Sequence, residues 1–145
     1  MANRSLIALM AVLGLALWTV VGVGSIVLMV KGCLLRAWAR PRWWVQAACA
    51  FTFTGTVAWL SGLFSQSGLT EKEDACRLDG ADYDSGFAEA RSGDSRHLFP
   101  LHDWCSAHHD LVPAWVNPTV VICAALALLA VLGAVWVAID KRTRS

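Results

Sequence analysis

The side chains best suited to chemistry crowd into one polar stretch. His97, His102, His108 and His109 are the four imidazoles of the chain, and Asp103 and Asp110 each follow a histidine directly. Imidazole and carboxylate are ligands for first-row transition metals, Zn²⁺ among them. Imidazole also changes charge near neutral pH. The spacing matches neither H-E-x-x-H nor paired C-x-x-C. Two readings follow. One is a metal-binding or pH-sensing surface built from the four histidines. The other is a polar loop whose histidines are solvated or satisfied by neighbours, with no cofactor. The acidic run DGADYDSG, residues 79–86, puts its carboxylates off the EF-hand positions and reads as a turn with an acidic surface. No Ser/His/Asp or Cys/His arrangement has a recognisable spacing. No catalytic residue is assigned, and the chain is expected not to be an enzyme.

Cysteine usage separates into two kinds. Cys76 and Cys105 lie in the polar stretch with no C-x-x-C, so a structural disulfide is expected if that stretch faces an oxidising compartment. Closing a loop of about 30 residues would stabilise by roughly 3.5 kcal/mol in the chain-entropy picture. Cys49 and Cys123 fall inside apolar runs and read as small packing residues. Cys33 stands beside Lys31 and Arg36, either as a bystander or as an acylated or reactive thiol.

What must position these groups is apolar. Of the 145 residues 57% are hydrophobic and 16% charged, which excludes both an ordinary soluble domain and a disordered chain. Three uncharged runs occupy residues 6–30, 43–64 and 119–139. Each meets the ~20 apolar residues that a helix needs to cross hydrocarbon. Lipid offers the backbone no hydrogen bonds, so such segments must be helical. The expected fold is an all-α integral membrane protein of three transmembrane helices, with a small disulfide-closed cap between the second and third. The expected layout is an N-terminus at 1–5, helices at 6–30, 43–64 and 118–139, a basic linker at 31–42, a cap at 65–117 and a tail at 140–145. Asn117 and Pro118 suit the N-cap and first turn of the last helix. Trp38, Trp43 and Trp44, with Trp115 at the other face, suit interfacial belts.

Charge gives the orientation. The linker carries Lys31, Arg36, Arg40 and Arg42 and no acid, and the tail carries Lys141, Arg142 and Arg144. The cap has ten acids against four bases. Short basic segments stay in the cytosol. The C-terminus and linker are therefore expected inside the plasma membrane, and the cap and N-terminus outside. A cleaved signal peptide ending near Gly22-Val23-Gly24 is the rival reading of the first run, but the apolar stretch is too long and continues past that site.

Within the cap, Thr70 and Glu73 form a capping box ahead of a short helix from about Glu71 to Leu78. Asp84 or Ser85 suits the cap of a second, running to Ala90 or Arg91. Leu98, Phe99, Leu101, Trp104 and Leu111 are candidates to cover the helix ends. In the second run Ala50, Thr54, Ala58 and Gly62 recur every four residues, and in the third Ala130, Ala134 and Ala138 do the same. Such ladders favour close helix packing in lipid, within the chain or against a partner. No ionisable residue lies in the runs, which argues against a pump, a proton-coupled transporter or a haem protein.

The segments LFPLHDWC and DLVPAWVNP resemble those of small, uncharacterised integral membrane proteins of high-GC actinobacteria such as streptomycetes. Those share FPLHxxC followed by LVPxWVNP, here Phe99, Pro100, Leu101, His102 and Cys105, then Leu111, Val112, Pro113, Trp115, Val116, Asn117 and Pro118. Nine Arg against three Lys agrees with high-GC coding. The resemblance implies a bacterial plasma membrane and no activity. The expected role is an interaction or accessory subunit in the lipid bilayer, with a membrane-protein partner or as a homo-oligomer, and no nucleic-acid partner.

Overall fold

The structure, a computed structural model, describes residues 2–65, 71–91, 93 and 97–143. It is mostly helical. Three long apolar helices dominate: α1 (Ala2–Leu34), α2 (Pro41–Ser65) and α5 (Val116–Thr143). Each extends a few residues beyond its uncharged run, because polar residues at the ends continue the backbone hydrogen bonding. Between α2 and α5 come α3 (Lys72–Leu78), α4 (Ser85–Ala90), β1 (Trp104–Ser106) and β2 (His109–Asp110). The chain divides into two compact units, Met1–Thr54 with Cys123–Ser145, and Gly55–Ile122.

In the first unit the contacts are made by aromatic rings set over glycines. On α1, Trp18, Gly22, Ser25, Met29 and Gly32 are buried or half-buried at alternating steps of four and three. That rhythm keeps one stripe facing a neighbour. The Phe53 ring lies where a Cβ on Gly22 would be, and the Trp43 ring does the same at Gly32. Trp44 fills that place at Gly133 of α5, its Cε3 2.6 Å from an ideal Cβ. Trp18 meets Phe53 with ring centroids 4.5 Å apart. Trp43 and Trp44 are thus packing groups as well as polar handles: their Nε1 atoms donate to the carbonyls of Met29 at 3.0 Å and Trp38 at 2.9 Å.

Burial along the two small-residue ladders is uneven. Ala50, Ala58, Gly62 and Ala130 are buried and Ala134 is half-buried, while Thr54 and Ala138 are exposed. A step of four residues overshoots a helical turn by about 40°, so a strict ladder walks off the packed face. Thr54 turns its hydroxyl back to donate to the Ala50 carbonyl at 3.0 Å. Ala47, three residues before Ala50, is buried at 2% exposure and belongs to the contact that the four-residue pattern passed over. Cys123 is buried and Cys49 is exposed.

In the second unit, α3 and α4 fall where their signals predict. Asp84 Oδ1 accepts from the Phe87 amide at 3.1 Å, capping α4. Thr70, the first residue of the expected capping box, lies outside the described residues; Glu71 takes the N-cap position of α3 without a side-chain bond. The α3 C-terminus closes through Ala81 N to Cys76 O at 2.9 Å, with Gly80 at φ 78°, a left-handed position that suits glycine. The all-α expectation is corrected by a small antiparallel sheet pairing Trp104 with Asp110 and Ser106 with His109. Its turn, Ala107-His108, has none of the Asn or Gly that mark a hairpin in sequence. Side-chain bonds to backbone close it instead, as described below.

The helix start at Val116 is a second correction. Asn117 lies inside the first turn and is not its N-cap. Pro118 is still within the first four residues, whose amides have no partner in the helix, so its missing N–H costs nothing.

Candidate functional site

The cap is held by one covalent bond, one buried cluster and a polar network. Cys76 on α3 is bonded to Cys105 on β1, and both are fully buried. The Cys105 carbonyl accepts from the Asp84 amide at 2.9 Å, which brings the start of α4 to the same strand. Leu101, Val112 and Val116 form the buried cluster, with Trp59, Leu63 and Val120 against it. Gly62 makes room for it: an ideal Cβ there would sit 2.7 Å from Leu101 Cδ1 and 2.8 Å from Val116 Cγ1. Of the residues expected to cover the helix ends, Leu101 does so, with Trp104 and Leu111 partly covered. Leu98 and Phe99 are exposed, and Val112 takes their place in the core.

Asn117 ties this core to the last helix. Its Oδ1 accepts from the Leu101 amide and its Nδ2 donates to the Leu101 carbonyl, both at 3.0 Å. One amide side chain thereby satisfies both backbone groups of a residue with no solvent exposure. Trp59 Nε1 adds a bond to the Leu98 carbonyl at 2.9 Å.

Asp110 organises the hairpin. Its Oδ1 accepts from the amides of Asp103 at 2.8 Å and Val112 at 3.0 Å, and its Oδ2 meets His102 Nδ1 at 2.6 Å. Hydrogen bonds to an ionised acceptor are about twice as strong as neutral ones. Asp103, 2% exposed, pairs with Lys72 Nζ at 2.7 Å. His102 stacks on Trp104 at 5.3 Å between centroids, and the Arg91 guanidinium lies over Trp104 and Phe87.

The four histidines do not converge. His102 pairs with Asp110, while His109 Nε2 meets Asp79 Oδ2 at 2.8 Å on a different part of the surface. His97 and His108 are exposed. Among the described residues no group of three or more His, Cys, Asp or Glu side chains gathers as a metal centre. Each His–Asp pair offers two of the roughly four ligands a structural zinc takes. A carboxylate on Nδ1 also orients an imidazole as in a catalytic dyad. Yet among the described residues no hydroxyl or thiol is hydrogen-bonded to His102, and Cys105, three residues on, is held in the disulfide. Sequence reasoning missed Asn117 as a clamp and Asp110 as a hairpin brace. The only signal for either was a short amide or acid placed beside apolar residues in a loop.

Fold and site together define a helical chain with three long apolar helices and a compact disulfide-closed segment between the second and third. No known protein family, curated protein or solved structure matches the chain.

Proposed function

We propose that this chain is a non-enzymatic, three-span protein of the plasma membrane, an accessory or interaction subunit that presents its acidic cap to the exterior. The observation that carries the reading is the exposure of the long helices. All three are long and apolar enough to cross a bilayer, and only 11%, 22% and 11% of their most apolar windows are buried within the chain. Leu17 is 67% exposed and Trp136 76%. A large apolar side chain left in water forfeits roughly 1.5–3 kcal/mol. Helices that turn so many outward are matched to hydrocarbon.

Orientation follows from chemistry at the two sides. The linker and tail are basic and flank α2 and α5 on the same side, the side that the positive-inside rule assigns to the cytosol. The cap then faces the exterior, where an oxidising environment supports the Cys76–Cys105 bond. Reporter fusions after Ser67 and at Ser145 test this. An exterior-active reporter should work only at the first and a cytosol-active reporter only at the second; the same compartment at both positions overturns the topology.

The accessory role rests on the combination of a braced acidic cap with long, largely uncovered apolar helices. Purified in mild detergent, the chain should run as a homo-oligomer or recover one stoichiometric membrane partner. A strict monomer that recovers none would contradict it.

A further inference from the structure

The turn between α1 and α2 builds a groove of about 440 Å³ with three cations around it. Lys31 comes from the last turn of α1, Arg40 from the extended residue before α2, and Arg42 from the first turn of α2. Arg36, in the left-handed region at φ 53°, reverses the chain between them. The turn is ordered by backbone bonds: Leu35 N to Lys31 O at 3.0 Å, Arg40 N to Ala37 O at 3.0 Å and Trp43 N to Arg40 O at 3.0 Å. Trp43 lines the groove, fixed by its bond to the Met29 carbonyl and seated over Gly32. Gln46 adds an amide, and Leu28 and Leu35 form apolar wall.

Residues 31–42 contain no acid, and among the described residues none of Lys31, Arg40 and Arg42 makes an ion pair. Like charges gathered around one groove repel one another, and their N–H donors are left to water or to an anion. The first turn of α2 adds the positive end of a 25-residue helix. We propose that this groove binds the phosphate of an anionic phospholipid, with Lys31, Arg40 and Arg42 on the headgroup and the acyl chains along Leu28. Inorganic phosphate would satisfy the cations and leave the apolar wall uncovered. An amphiphile that carries a phosphate satisfies both, and basic pockets between cytosolic helix ends suit such headgroups. The inference rests on the membrane reading above.

The test uses the full chain in mild detergent, stripped of lipid and titrated with dioctanoyl phosphatidylglycerol, dioctanoyl phosphatidylcholine or inorganic phosphate. Bound adducts are counted by native mass spectrometry. The unsubstituted chain should retain one phosphatidylglycerol about tenfold more tightly than phosphatidylcholine. Combined Lys31→Gln, Arg40→Gln and Arg42→Gln should abolish that preference. The single Arg40→Gln, which leaves the helices intact, should weaken it several-fold. Removing equal charge from the tail with Lys141→Gln, Arg142→Gln and Arg144→Gln should leave it in place. Equal retention of the two lipids, retention of inorganic phosphate alone, or an equal loss in the tail variant overturns the proposal. Alkaline carbonate extraction separates the two failures: release of the chain from membranes refutes the membrane reading, while a retained chain without lipid preference refutes only the groove.

Discussion

Asn117 is the residue on which the cap most directly depends. Replacing it with Ala leaves the amide and carbonyl of Leu101 without partners at a site of no solvent exposure. An unsatisfied buried group costs about 1–3 kcal/mol, so Asn117→Ala should lower cap stability by about 2 kcal/mol or more. Faster hydrogen exchange at the Leu101 amide would report it, while Asn117→Asp should keep an acceptor for the amide but set a carboxylate oxygen against the Leu101 carbonyl. Asp110→Ala should cost a similar amount, about 2–3 kcal/mol, because two backbone amides and His102 lose one charged acceptor. Protease sensitivity near residues 103–112 would show it. Neither role was legible in the sequence. Asn117 before Pro118 carries a strong N-cap signal, and only tertiary contact reveals that its side chain serves another segment. The histidines show the reverse: their clustering along the chain is plain, and folding sends His102 and His109 to separate carboxylates.

At the scale of elements, the long helices and both short ones were legible, because apolar run length and capping residues are local properties. The faces they use were less so. A four-residue ladder of small side chains captured Ala50, Ala58 and Ala130 and missed the α1 stripe, whose glycines are matched to aromatic rings on α2. That pairing depends on residues far apart in sequence. Substituting Gly22 or Gly133 by Ala should therefore destabilise the bundle by about 1–3 kcal/mol, since Phe53 and Trp44 occupy the needed space. Gly14→Ala and Gly24→Ala, with nothing within 4 Å, should be neutral or slightly stabilising. Denaturation of the four variants in mixed detergent micelles would rank them. The hairpin was illegible for a different reason: its two strands are three and two residues long, too short for any alternation to register.

For the whole molecule, the disulfide joins residues 29 apart and closes a segment that contributes only Leu101 to the small buried cluster. Cys76→Ala with Cys105→Ala should cost the cap roughly 3.5 kcal/mol, with the long helices unaffected. Far-ultraviolet dichroism would stay close to that of the parent while trypsin cuts within residues 71–111. Impermeant thiol reagents should label neither cysteine on intact cells before reduction; free reactivity would contradict the bridge. Composition and charge segregation announced the division into apolar helices and acidic cap, because both follow from residue type alone.

The grip of Asn117 on Leu101 has a mechanical consequence. Four residues beyond Leu101, Cys105 is covalently locked to α3, so the segment between clamp and bridge has almost no slack. A ligand tugging on the hairpin would load the first turn of α5 directly instead of stretching a tether. The cap is built less like a flag on a rope than like a handle bolted to its shaft.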